Sequence, residues 1–340
     1  MEESRAAIDS GRITFDYLSL EDYAAMDPKE HRDIVAAVAH GQFELPFRPW
    51  PQVRSGLQPL ARVLCVEVIR ATGPLTYGHD DGFSLTCTQD YLFASCSARE
   101  TEGVTLRALV KNLYLRLIDL VRRRGYPHLL RVWNMVPSIN TDQDGMERYK
   151  LFCLGRHEGF SSKILDLTAA YPAACGIGCH GDDLRLYFLA ARSPGMTIEN
   201  PRQVSAYAYP PRYGPKSPLF SRALVKTWGG GAGLFLSGTA SVVGHESRHQ
   251  GDLPGQVEET LRNLEILTAA GAKASGSAFT LASPTSLLKA YIRRASDYFE
   301  TRELLERHLG ADSHVLYLLT DLCRRELLVE LDGIVYADPA

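Results

Sequence analysis

Apolar residues recur at helical spacing from Leu106 onward, with Leu106, Leu109, Val110, Leu113, Leu117, Leu120 and Val121 on one face. The spacing predicts a helix from about Thr105 to Arg124. Gly125 ends it, and the chain turns through Tyr126 and Pro127 into a strand, HLLRVWNMV, over 128–136. Upstream, the apolar run from Tyr91 to Cys96 is another strand candidate. The same order of strand, helix, glycine and strand returns after residue 230. Gly233 to Gly238 reads as a strand. LPGQVEETLRNLEILTAA reads as a helix with Val257, Leu261, Leu264 and Leu267 on one face, closed by Gly271, and Ser277 to Ala282 reads as the next strand. Each half continues with a helical segment, MERYKLFCLGRHEGF and DYFETRELLERHLG. Each then has two strand candidates, ending in Leu184–Leu189 and Leu327–Leu331. The pattern predicts an α+β protein of two β-α-β-α-β halves, 1–195 and 196–340, related by internal duplication. Two unrelated α+β halves are the other reading.

Between the halves lies SPGMTIENPRQVSAYAYPPRYGPKSPLFSRA, rich in proline and tyrosine and without a period. A plain linker does not expose this many aromatics, so Tyr207, Tyr209, Tyr213 and Phe220 are expected to pack. Arg202, Arg212, Lys216 and Arg222 among them make a wall suited to a small organic acid.

Composition narrows the function. The 340 residues suit two domains, and a hydrophobic fraction of 45% is ordinary for a globular protein. A net charge of −3 gives no reason to expect nucleic acid or an anionic membrane as partner. No stretch is long and apolar enough to span a bilayer. The start, MEESRAAIDSGR, is too polar for a signal peptide. Seven scattered cysteines are expected to be reduced thiols, which with the polar start predicts a cytoplasmic protein. The sequence does not give an oligomeric state.

Three motifs invite misreading. His245-Glu246-Ser247-Arg248-His249 fits the H-E-x-x-H pattern of zinc peptidases, but glycines and Pro254 surround it where a helix is required, so a loop after a strand is expected. Cys175-Gly-Ile-Gly-Cys179-His180 has one residue too many for haem attachment and reads as a glycine-loosened strand. Gly229 to Gly233 lacks the Lys-Ser/Thr of a phosphate loop and reads as a turn entering a strand. Neither metal nor organic cofactor is signalled.

Gly233 to Ala337, with LFLSGTA, QVEETLRNLEILTAAGA and LLVELDGIVYA, resembles the reactive-intermediate deaminase (Rid) superfamily, whose fold is chorismate-mutase-like. The arginine that those deaminases use for the substrate carboxylate is missing from Ser313 to Leu318. The chain more closely resembles the chorismatase family, which combines a Rid-like C-terminal half with a divergent N-terminal half. Arg131-Val132-Trp133-Asn134, GMERYKLFCLGRHEGF, NPRQVSAYAYPPRYGPKSPLFSRA, SGTASVVGHESRH and DLCRRELLVELDG carry that resemblance.

The resemblance implies an enzyme that splits chorismate, a dicarboxylate with an enolpyruvyl ether, and releases pyruvate. A proton must reach the enol methylene, and a carboxylic acid buried among leucines stays protonated at neutral pH. Glu330, between Leu327, Leu328, Val329 and Leu331, fits, with alternation placing Leu328 on its face. The resemblance gives Glu330 the role of catalytic acid. Arg148, Tyr149, Arg156, Tyr209 and Arg222 lie in family-like motifs and are the candidates for binding the two carboxylates. Cys323, seven positions before Glu330, and the small Ala240 at the SGTA turn resemble the branch that makes 3-hydroxybenzoate, although glycine is expected at 240. Other readings remain open. They are 4-hydroxybenzoate as a further product, hydrolysis to 3,4-dihydroxycyclohexa-1,5-dienoate, and a non-catalytic small-molecule binder on a Rid-like scaffold.

Overall fold

In the computed structural model, which describes residues 11–29, 31–61, 64–162 and 171–337, the polar start up to residue 10 lies outside the described residues. The chain runs through β1 (Ile13–Ser19), β2 (Ile34–His40), β3 (Gln52–Arg54), β4 (Gln58–Pro59), β5 (Cys65–Ala71), β6 (Thr76–Asp80), β7 (Phe83–Cys87) and β8 (Tyr91–Arg99) to α1 (Leu106–Arg124). There follow β9 (His128–Pro137), α2 (Arg148–Ser161), β10 (Ala173–Cys179) and β11 (Asp183–Ala191). The second half comprises β12 (Met196–Ile198), β13 (Ala223–Trp228), β14 (Gly231–Ala240), α3 (Leu253–Ser275), β15 (Leu287–Ile292), α4 (Tyr298–Leu309), β16 (His314–Leu319) and β17 (Val329–Tyr336).

Two large sheets have the same plan. One has the order β10-β9-β11-β8-β7-β6; the other runs β16-β15-β17-β14-β13-β12, with β4 added beyond β16. In each, the two strands that flank the second helix are parallel, β9 with β10 and β15 with β16, and their other neighbours are antiparallel. The duplicated order expected from the sequence is thus present in the topology. A third sheet, β1-β5-β2-β3, comes from the first seventy-odd residues.

Alternation along the strands separates the faces. Helices α1 and α2 cover one face of the first large sheet, burying Leu113, Leu117, Val121 and Phe160 against Phe83 and Phe188. Helices α3 and α4 cover the equivalent face of the second. The opposite faces of both large sheets meet the small sheet in one shared core that holds Phe15, Phe93, Trp133, Tyr187, Phe235 and Tyr291. Trp133 stacks on Tyr187 there at 4.9 Å.

Helix α1 begins and ends as the sequence predicts. The Thr105 hydroxyl accepts from the Ala108 amide, and Gly125 takes the left-handed conformation that ends the helix. Helix α3 corrects two expectations. It continues past Gly271, which is buried against Leu234 and Val225, and ends at Gly276 with φ +74°. Ser277 to Ala282 is not a strand; only Phe279 makes a bridge, to Ala337. The strand after α3 is β15, LLKAYI, whose apolar run Lys289 interrupts in the sequence. The stretch before it turns through Ser283 and Ser286 instead.

Candidate active site

Along β17, Val329, Leu331 and Val335 point to the helices, while Ile334 and Tyr336 point into the shared core. The alternation carries Glu330 and Asp332 to that same inner side, with side chains 3% and 0% exposed as residues. This corrects the expected surroundings of Glu330. The strand begins at Val329, Leu328 packs on the helix side, and Leu327 is the leucine that belongs to the inner core.

Glu330 pairs with Ala240 of β14 on one side and Tyr291 of β15 on the other. The SGTA segment is therefore bulged strand rather than turn, its register shifting between Leu236 and Thr239. The bulge sets Gly238 against the carboxyl. A Cβ at 238 would overlap Glu330 Oε1 and stand 2.9 Å from its Cδ.

A cavity of about 250 Å³ opens over Glu330. Cys323, Ala240, Tyr149, Tyr209 and Arg222 all line it, together with Cys153, Cys175, Arg324, Arg325, Arg212 and Lys216. The Cys323 thiol lies 3.9 Å from Glu330 Oε2. Arg222 is buried; its Nη2 donates to the Tyr209 hydroxyl at 2.6 Å and to the Val204 carbonyl at 2.8 Å, and its Nε has no partner among the described residues. Arg324 lies over the rings of Tyr213 and Tyr209, at 4.2 and 5.3 Å, and donates to the His245 carbonyl. The proline- and tyrosine-rich segment thus forms one wall, as expected of it, with two exceptions. Tyr207 stays 37% exposed beside Tyr171 and does not line the cavity. Arg202 turns away to Asn263 and Glu259.

Two arginines expected at the site stand elsewhere. Arg148 is spent on Glu100 at 2.6 Å, Gln143 and the Pro137 carbonyl, and it does not line the cavity. Arg156 is also outside the wall, buried over the rings of Tyr114 and Phe160 at 5.2 and 5.6 Å. Its Nε and Nη2 have no partner among the described residues. The sequence reading did not single out Arg324, although it stands beside Cys323 in a motif already noted. It also missed Gly238, whose part depends on a strand pairing that no local signal reports.

Electrostatics suit Glu330 to proton donation. Burial, reinforced by the negative charge of Asp332, raises its pKa from 4.5 to about 8, against the opposing pull of Arg131, Cys323 and Arg222. The carboxyl therefore keeps its proton at neutral pH. Burial and the neighbouring Glu330 also push the Cys323 thiol far up, so it is a neutral wall group.

The histidines of HESRH do not share a helix. Glu246 and Ser247 form a short strand, His245 contacts Arg212 and Tyr213, and His249 sits at φ +54° facing Glu259. Among the described residues no group of three or more His, Cys, Asp or Glu side chains is placed to hold a metal ion. Cys175 and Cys179 lie on β10, as the strand reading expected. No helix among the described residues is long and apolar enough to cross a membrane.

Comparison with known proteins identifies the family. Residues 67–190 match a family model described as chorismatase FkbO/Hyg5-like, N-terminal. A 3-hydroxybenzoate synthase of Streptomyces hygroscopicus is 39% identical over 76% of this chain and 78% of its own length. A chorismatase of Streptomyces rapamycinicus is 40% identical over 79% and 81%. A crystal structure of a chorismatase superimposes with a TM-score of 0.86 at 32% identity, over 95% of this chain and 98% of that one. The likeness to that structure covers nearly the whole chain, and the chain belongs to the chorismatase family.

Proposed function

We propose that this protein cleaves chorismate to pyruvate and 3-hydroxybenzoate, with Glu330 as the acid. The observation that carries the reading is a carboxyl that keeps its proton at neutral pH, buried at a cavity walled by arginines. Glu330 gives its proton to the enol methylene carbon, which makes the enolpyruvyl oxygen ready to leave with pyruvate. The neighbouring ring hydroxyl closes on the ring carbon that loses this oxygen. Its proton goes to the Glu330 carboxylate, and the ring rearranges to the aromatic product. One chorismate gives one pyruvate and one 3-hydroxybenzoate, water is not consumed, and Glu330 ends the cycle protonated.

The two substrate carboxylates need guanidinium donors. Arg222 is buried in the cavity wall and carries a guanidinium nitrogen with no partner among the described residues, so it is assigned as an anion anchor, whereas Arg156, buried over Tyr114 and Phe160 outside that wall, is not. Tyr209 orients Arg222, and Tyr149 also lines the cavity. Arg148, already paired with Glu100, is given no such role. The branch assignment rests on Cys323 and Ala240, a weakly polar thiol and an apolar methyl beside the acid that leave little to hold an ordered attacking water. A relative named 3-hydroxybenzoate synthase agrees with it.

Purified protein incubated with chorismate should release pyruvate in a lactate dehydrogenase-coupled assay, with 3-hydroxybenzoate as the main chromatographic product. A dominant dihydrodiol acid would move the protein to the hydrolase branch. No pyruvate at all would leave a binding protein.

A further inference from the structure

Two buried cations and three buried carboxyls stand in the core between the sheets. Lys289 of β15 lies 2.9 and 3.1 Å from the Glu67 oxygens. Arg131 of β9 reaches across to Asp332 of β17, whose same oxygen accepts from the Tyr291 hydroxyl at 3.0 Å. Each cation therefore has its own carboxylate, with Lys289 also 3.9 Å from Asp332. Glu330, two residues before Asp332 and on the same face, is the carboxyl left over. Ionising it would add an uncompensated charge to a closed interior.

We propose that Asp332 is a positioning residue for the reaction: by holding Arg131 it denies Glu330 a cation and so keeps the proton on the acid. The inference rests on the reading of Glu330 as the acid. Without Asp332, the buried Arg131 guanidinium is left without a carboxylate and its charge favours an ionised Glu330, so the acid is spent before substrate arrives. The other groups around Glu330 do not replace this control. Arg222, on the cavity side, bonds only the neutral Tyr209 and Val204, and its pull on Glu330 is weaker than that of Arg131. Arg293, of the segment after β15, is tied to Asp321, Asn140 and backbone carbonyls. Arg324 is tied to His245 and Ser247, and Ser247 also bonds Glu326. Tyr149, Cys175, Cys323 and Tyr291 are all held neutral by burial. His40, beyond Glu67, is likewise kept neutral by burial.

The test is the pH dependence of the single-turnover rate of chorismate consumption, which requires protonated Glu330 and so falls on the alkaline side. In Asp332→Asn this fall should move at least ~1 pH unit toward acid, a tenfold loss of rate above it. In Arg131→Met it should move toward alkali. The double variant removes one charge of each sign, leaves no new unpaired ion, and should return the fall to within ~0.5 unit of the parent. It also serves, with Arg131→Met, if Asp332→Asn does not fold. Rates lowered at every pH with the fall unmoved in the folded variants would overturn the proposal and leave the pair a structural clamp. Glu330→Gln separates the two readings. If that variant keeps full activity, the acid assignment itself fails. If it is inactive while the fall stays in place in Arg131→Met, only the role of Asp332 fails.

Discussion

Replacing Glu330 by Gln should make the protein more stable and nearly inactive, and the stability gain should depend on pH. The folded carboxyl holds its proton to about pH 8, whereas an exposed one loses it near 4.5. An acid whose pKa rises on folding binds more protons in the folded state between those two values. Stability contributed by this group is therefore full below pH 4.5 and falls steadily as the pH rises to about 8. At ~1.4 kcal/mol per pH unit, the accumulated penalty reaches roughly 4–5 kcal/mol as an upper bound. Gln keeps the volume and does not ionise, so the variant escapes this penalty. Its midpoint in urea should exceed that of the parent by little at pH 5 and by much more at pH 8. Pyruvate release should fall at least ~100-fold, because the amide cannot supply the proton. Equal pH dependence of stability in the two proteins would refute the picture of a buried neutral acid. Near-normal turnover would refute its role in proton transfer.

The remaining expectations use the same assay. Gly238→Ala should keep the fold but displace the Glu330 carboxyl, at a cost of about 100-fold in kcat for a shift of roughly 1 Å; unchanged kcat would show that the close approach is irrelevant. Arg222→Ala should raise KM by tenfold or more, at ~2–5 kcal/mol for a carboxylate left without its guanidinium, while Arg148→Ala leaves KM alone; the reverse ranking would move the anion site. Cys323→Ser places a stronger water-binding group beside Glu330 and should raise the share of dihydrodiol acid on product chromatography, whereas an unchanged product ratio would free Cys323 from any part in the branch.

What the sequence reveals and what it hides divide along the reach of each interaction. Helix α1 is legible because its determinants, the apolar stripe, Thr105 and Gly125, lie within one short window. Glu330, Cys323, Ala240, Tyr149, Tyr209 and Arg222 are legible as a set because short motifs carry them, and the cavity does bring them together. Arg148 and Arg156 look alike in that same motif, eight residues apart. Only the fold shows that one is consumed by Glu100, some fifty residues earlier, while the other keeps unspent donors.

The misread strand and the unread acid environment have one cause. Lys289 breaks the apolar run LLKAYI, so β15 does not look like a buried strand, and Leu328 looks like the neighbour of Glu330 because leucines surround it in sequence. Both readings assume that a buried strand is apolar on its inner face. Here that face carries Lys289, Asp332 and Glu330, and the partners that make it tolerable, Glu67 and Arg131, come from the other half of the chain. A charge on a core strand without a nearby opposite charge in sequence therefore points to a partner from a distant segment. It also points to a place where the proton balance of the interior is set, and in this fold that place adjoins the acid.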